Sequence, residues 1–555
     1  MKVFKIGIYE IYAATIIAFA AGLRILLIAI GWPPTNSDEG TFGIMALNIA
    51  YHGEHPVYFY GYNYMGAAES YLGAFYFHLF GGPSLFALRL GVITLVTFFF
   101  INIYLLTSLL FSKKQALVTL ALLSIGSIPV LTRETIATGG SSQTLFLGSL
   151  AFLLTSWLAL TYSRDASLRK KLIRIAVYGC LGLTFGLGVW SDMVVLPIFA
   201  MATLLLLLFC WRELLWSWVG LLAGFAIGIV PVIKYDLVQK QNALDTLLGL
   251  VHGSSTQAPR TLPALIHAAK ATILVTIPMA TGSPFCPVSE ALPPQADNSP
   301  HTLTCTIAHA SWGLGYLLLL GIALIFVIHG LRHVLRNQDM GATEKRQAMV
   351  RRISQLILLG GGVLAITAFS LSSGPMSWPG FHNRYLVTLL IITPALIAPL
   401  WSAASKHKEQ VTTRLERVMV PASRGVLVLI GLIFLLGTAI AFIEVPATQA
   451  ANQQRADLAG NLSRIGAAHI YTDYWTCNTL AFTSNERIIC GVLDENLQPT
   501  HNRAPRYYAI VSADPHAAYV FRMDNQLPSL ERKLQAKGLT YRRYVFDGYA
   551  VFQPV

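Results

Sequence analysis

Apolar runs of about 20 residues, the length a helix needs to cross a bilayer, recur along this chain until about residue 445 and then stop. Taken one by one they predict about eleven spans, at 7–31, 85–111, 115–132, 142–162, 173–190, 193–211, 214–233, 311–331, 353–372, 385–402 and 425–445. The first run, Ile6–Ile30, is too long for a signal-peptide core and no small-residue cleavage site follows it, so it reads as a retained anchor. Inside the long proline-rich segment 234–310, Leu262–Ala280 is apolar but carries His267 and Lys270. It is expected to be a re-entrant or interfacial helix, not a span.

Beyond residue 445 the pattern changes. Strand-like runs appear at His469-Ile470-Tyr471, Arg487–Val492, Tyr507–Val511, Tyr541–Phe546 and Tyr549–Phe552, with helix-like stretches at Gln453–Ile465 and Ser529–Lys537. Asp547-Gly548, between the last two strands, is a two-residue hairpin signal. The predicted fold class is a polytopic α-helical membrane protein, residues 1–445, with a small soluble α/β domain over 446–555.

Composition agrees: hydrophobic residues make up 54% and charged ones only 12% of the chain, against about 25% charged in soluble domains. The formal charge of +13 does not call for a nucleic-acid partner, because Lys and Arg gather in alternate loops as the positive-inside rule requires. Those loops are Lys113-Lys114, Arg164 to Arg174, Arg332 to Arg352 and Lys406 to Arg424. A cytoplasmic N-terminus in the cell membrane puts them inside, and puts the 32–84 loop, the 234–310 loop and the C-terminal domain outside. Cys286 and Cys305 share one of these external segments and Cys477 and Cys490 another, which is where disulfides persist. Two local pairs are expected, although spacing alone leaves the connectivity open.

Candidate chemistry starts at Ser37-Asp38-Glu39-Gly40. From Trp32 to Ser84 there is no Lys or Arg, but there are Asp38, Glu39, Glu54, Glu69 and three histidines. A carboxylate at the bilayer edge can be desolvated enough to take a proton from a hydroxyl. The competing reading is a cap, Ser37 or Asp38, for an amphipathic helix over 41–51. The tyrosines at 58, 60, 62, 64, 71 and 76 fit an interfacial aromatic belt.

Asp38-Glu39 after the first span, Arg133-Glu134 at the external end of the third, His382-Asn383-Arg384-Tyr385 entering the tenth, and Tyr474-Trp475-Thr476 in the tail occur in an order that resembles the GT-C glycosyltransferases. More narrowly, the chain resembles bacterial relatives of protein O-mannosyltransferases and lipid A aminoarabinose transferases. The resemblance implies transfer of a sugar, with inversion, from a polyprenyl-phosphate donor to a protein, lipid or glycan acceptor outside the membrane. It makes Asp38 the general base, Glu39 an orienting neighbour and Glu134 a second functional acid. The leaving lipid phosphate requires cations, for which Arg384 and Arg133 come first, then Lys234 and Lys270. Asp192 is either a group facing the phosphate or a helix cap. His52, His55 and His382 raise a divalent metal, but their spacing matches no compact ligand motif. Hydrogen-bonding roles suit them better; a divalent metal stays open, and no other cofactor is called for. Two rival readings remain: a transporter of a lipid-linked substrate, which would place charges near the membrane midplane, and a non-catalytic envelope assembly protein.

Overall fold

A computed structural model describes residues 7–162, 167–239, 261–282, 300–407, 409, 413–524, 527–536, 538 and 540–555. Nine stretches among them are long and apolar enough to cross a membrane. The protein is a multi-pass membrane protein. Its helices run in the order α1 (Ile8–Ala29), α2 (Ser37–Tyr51), α3 (Ala68–Leu79), α4 (Leu85–Leu110), α5 (Lys113–Ser124), α6 (Ile128–Arg133), α7 (Ser141–Thr161), α8 (Leu168–Ser191) and α9 (Leu196–Gln239). Further on come Leu262–Ala271, Pro300–Arg336, Ala342–Ser370, Arg414–Ile443 and the helices of the C-terminal region.

The chain forms two compact units. The first comprises Met1–Arg24, Thr94–Glu134 and Gly140–Ala441; the second comprises Ile25–Ile93, Thr135–Gly139 and Phe442–Val555. This differs from the expected division at 445/446, because the first loop belongs with the C-terminal region.

In the first unit the apolar stretch Met193–Val238 has 46 residues. As a straight rod it would be roughly 70 Å long, over twice the hydrocarbon thickness. Its contacts with α8 resolve the excess. Gly188 of α8 faces Phe199, while Arg174 and Tyr178 bond Glu213, so this part runs antiparallel to α8. Ile175 then meets Gly220, Gly179 meets Gly224 and Leu183 meets Gly228, so the next part runs parallel to it. The chain turns back near Arg212-Glu213, as the separate spans 193–211 and 214–233 anticipated. Glycines spaced by four on both helices let the backbones touch.

Leu262–Ala271 packs on the short helix Gly374–Ser377. Thr272 bonds Ser370 at 3.2 Å and Thr276 bonds the Pro379 carbonyl at 3.0 Å. With the turns that follow it, this helix makes the stretch Leu262–Thr281, which is one of the nine long and apolar enough to cross a membrane, against the expectation of an interfacial segment that is not a span.

Two expected spans are not continuous helices. Span 115–132 is broken between α5 and α6. The freed backbone at Gly126 bonds Thr438 Oγ1 in both directions at 3.1 Å, and Gly437 leaves room for the Ser127 backbone. The Leu123 and Ser124 carbonyls that end α5 accept from Arg24 at 3.2 and 2.9 Å. Span 385–402 is a 3-10 helix, Phe381–Leu390, followed by Thr393–Leu396 and Ala398–Ala404. Both breaks are buried in protein, where irregular backbone is tolerated at membrane depth.

The second unit contains the soluble α/β portion, a five-stranded sheet ordered β2-β1-β3-β5-β4. The strands are β1 (His469–Thr472), β2 (Ile489–Val492), β3 (Ala518–Arg522), β4 (Tyr541–Phe546) and β5 (Tyr549–Pro554). β1 pairs in parallel with β2 and β3, and β5 pairs antiparallel with β3 and β4. Asp547 and Gly548 have φ of 49° and 82°, the two positive values a type I′ hairpin turn requires. The expected strand 507–511 is instead within the helix Pro505–Ala513, begun by Pro505 in its first turn, and β3 is an additional strand.

Cys477 and Cys490 form a disulfide across 13 residues. Cys305 is also disulfide-bonded, and its expected partner Cys286 lies outside the described residues. Replacing Cys477 and Cys490 by serine is expected to destabilise the sheet region by about 3 kcal/mol, the chain-entropy value for a loop of this size. Hydrogen exchange at β1 and β2 measures this; unchanged protection would show the bond to be dispensable.

Candidate functional site

In the second unit, α2 begins at Ser37, and the residue that caps it is Asn36, not Ser37 or Asp38; its side chain accepts from the Glu39 amide at 3.0 Å. This frees Asp38 from capping. The helix Tyr474–Thr483, capped by Asp473, crosses α2 closely because Gly40 and Gly43 carry no side chain. A Cβ on Gly40 would lie 2.5 Å from the Asn478 backbone, and one on Gly43 would lie 2.6 Å from the Phe482 ring. The crossing brings Tyr474 to Asp38, and its hydroxyl donates to Asp38 Oδ1 at 2.5 Å. Ser37 Oγ donates to the Tyr474 carbonyl. Burial, then the Asp38 charge, pushes the Tyr474 phenol well up, so it stays a donor at neutral pH. Behind it, the Arg503 guanidinium lies 4.0 Å from the Tyr62 ring centre and 5.6 Å from that of Tyr474, and donates to the Tyr62 hydroxyl at 2.6 Å.

Glu39 is turned the other way. It is fully buried, held by Arg89 through two bonds at 2.8 and 2.7 Å, and it accepts from the Ala137 amide at 3.2 Å. Glu69, equally buried, accepts from the Gly139 amide at 3.0 Å. The two carboxylates fasten Thr135–Gly139 to the first loop. Both Glu39 oxygens, expected to orient substrate, are thus bonded to Arg89.

In the first unit, Arg133 donates to Asn383 Oδ1 at 2.8 Å and to the Phe381 carbonyl at 3.1 Å. The Phe381 ring centre lies 6.0 Å from the Arg133 guanidinium and 5.9 Å from that of Arg384, which also covers Tyr385. His382 Nδ1 bonds the Gly374 carbonyl at 3.0 Å, and burial lowers its pKa, keeping the ring neutral. Asp192 caps the turn Met193–Val195, accepting from the Val194 amide at 3.0 Å, and it fills the space left by Gly140. Burial pushes its carboxyl up, against the Val194 bond and the charge of Arg384. It is thus a helix cap, one of the two expected roles.

Glu134 is fully buried and bonded twice to Arg24, so the expectation of a second reactive acid meets a closed ion pair. His55, Lys234 and Lys270 are exposed and make no hydrogen bond to the Arg133 or Asp38 clusters among the described residues. No three His, Cys, Asp or Glu of the described residues gather as a metal would need. Sequence reasoning missed Arg24, Arg89 and Arg503 and gave Tyr474 no role.

No protein-family model and no curated protein matches the chain. Solved structures do. ArnT from Cupriavidus metallidurans bound to undecaprenyl phosphate matches at 13% identity with a TM-score of 0.53, covering 98% of both chains. The apo form of the same protein matches at 13% and 0.55, covering 98% of this chain and 97% of that one. At such identity the likeness establishes the fold alone, which this chain shares with ArnT.

Proposed function

We propose that this protein is a membrane glycosyltransferase that moves a sugar from a polyprenyl-phosphate donor to a hydroxyl of a protein, lipid or glycan acceptor, with Asp38 as general base. The observation that carries the reading is the contrast among the three candidate acids. Glu39 and Glu134 are fully buried in arginine pairs, whereas Asp38 is part-buried and, among the described residues, bonded through its side chain to a tyrosine hydroxyl alone. The likeness to a protein solved with undecaprenyl phosphate supports the donor class.

In the proposed step the acceptor hydroxyl gives its proton to Asp38 as its oxygen bonds the anomeric carbon. The bond from that carbon to the phosphate oxygen breaks, and the electron pair leaves on the polyprenyl phosphate. A single displacement inverts the anomeric centre. Arg384 and Arg133 meet the charge that develops on the phosphate. The transporter reading is not favoured, because the buried charges of the helices, Arg24–Glu134 and Arg174–Glu213, are closed pairs with carbonyl partners, not an open path.

Radiolabelled polyprenyl-phosphate sugars, offered as a panel to membranes with and without the protein, test the activity. Arg384→Gln is expected to weaken undecaprenyl phosphate binding roughly tenfold, the value of one charge-assisted contact. Unchanged binding would remove Arg384 from the phosphate site.

A further inference from the structure

The second unit holds a cavity of about 420 Å³ that the proposed chemistry does not use. Its wall combines the end of α2 (Asn48, His52), the following loop (Glu54, Tyr60), the turn before β2 (Glu486) with the first residue of β2 (Ile489), and the helix Pro505–Ala513 (Arg506, Tyr507, Ile510). The volume falls within the range of small-molecule sites, about 300–1,000 Å³, and the lining is mostly apolar surface with a few polar groups, as is usual for one.

On one side runs a chain of hydrogen bonds. His52 Nδ1 meets Asn48 Oδ1 at 2.8 Å, Asn48 Nδ2 donates to the Tyr60 hydroxyl at 3.0 Å, and Tyr60 donates to Glu54 Oε2 at 2.6 Å. Arg506 closes the chain on Glu54 Oε1 at 2.7 Å. On the other side Tyr507 donates to Glu486 Oε1 at 2.6 Å. Glu486 Oε2 takes no hydrogen bond from the described residues. Asn485 and Glu486 both have left-handed backbone, φ 53° and 57°, which is less usual for Glu than for Asn. Ile489, Pro505 and Ile510 add an apolar strip to the same wall.

We infer that this cavity is a saccharide subsite, holding one sugar unit of the acceptor. A pyranose presents a rim of hydroxyls, each donor and acceptor, and a face of C–H groups. Glu486 Oε2 suits the rim, and the isoleucines and proline suit the face. The segment Arg503–Tyr507 ties this wall to the Asp38 support, since Arg503 bears on Tyr62 and Tyr474 while Arg506 and Tyr507 line the cavity. The inference rests on the glycosyltransferase reading for the word acceptor, but the cavity and its ligand class stand on their own geometry.

The test is saturation-transfer NMR on the full-length protein in nanodiscs, with glucose, mannose, galactose and N-acetylglucosamine as separate probes and undecaprenyl phosphate binding measured in parallel. At least one sugar is expected to bind the wild type. Glu486→Gln and the cavity-filling Ile510→Trp should each weaken it about tenfold or more, with undecaprenyl phosphate binding unchanged. Sugar binding that is absent from the wild type, or indifferent to both variants, overturns the subsite. Sugar binding lost in both variants supports it even where undecaprenyl phosphate fails to bind, a result that would count against the glycosyltransferase reading alone.

Discussion

Asp38→Asn is expected to lower sugar transfer by about 10²–10⁴-fold, the range that general-base catalysis supplies, with the protein folded and present at the same level. The expectation of intact folding comes from the contacts. Asn36, not Asp38, caps α2, and an asparagine Oδ1 still accepts the Tyr474 hydroxyl that now reaches Asp38 at 2.5 Å. What the substitution removes is the ability to hold the acceptor's proton. Transfer from the radiolabelled donor panel, compared at equal protein in membranes, measures the effect. Equal transfer by both forms would remove Asp38 as the base, and the buried, arginine-bound Glu39 could not replace it without first breaking its bonds to Arg89.

Asp38 and Glu39 also show where sequence reasoning stops. Consecutive residues on a helix point about 100° apart, so one of an acid pair facing a site nearly guarantees that the other does not. Which one faces it depended on Arg89, distant in sequence and read as part of a span. The apolar pattern located the spans well because hydropathy is a local sum over residues. It failed at 115–132, where the break is satisfied from afar by Thr438 and Arg24, and at 385–402, where Gln115 Nε2 donates to the Pro394 carbonyl at 2.8 Å. A signal for the first break was present: an arginine among the apolar residues of the first span, which is costly unless it has a partner. The C-terminal α/β region was legible through its alternation and its Asp547-Gly548 turn. Tyr507–Val511 misled, since a five-residue apolar run fits strand and helix alike and Pro505 was the deciding residue. The Tyr474–Arg503 support of Asp38 had no local signal, because it forms only where Gly40 and Gly43 let two helices touch.

Arg24→Met is expected to be the most destabilising single change, by about 3–5 kcal/mol, because it strands a buried carboxylate. Arg24 and Glu134 are both fully buried; both bonds between them go to Glu134 Oε2, and Oε1 has no hydrogen-bond partner among the described residues. The guanidinium also serves the Ala20, Leu123 and Ser124 carbonyls and lies 4.8 Å from the Phe100 ring centre. The double variant Arg24→Met/Glu134→Leu should therefore recover only part of the loss. It removes the stranded charge but leaves the Leu123 and Ser124 carbonyls at the end of α5 without a donor, each worth about 1–3 kcal/mol. Thermal unfolding in detergent, run as a double-mutant cycle, measures this; strictly additive losses would mean that the two side chains do not act as a pair. The same double variant separates the two readings of Glu134. Transfer that falls only in proportion to the folded fraction makes the pair a brace for the broken helix. Transfer abolished in a well-folded double variant would return Glu134 to the chemistry, where the sequence motif Arg133-Glu134 first placed it.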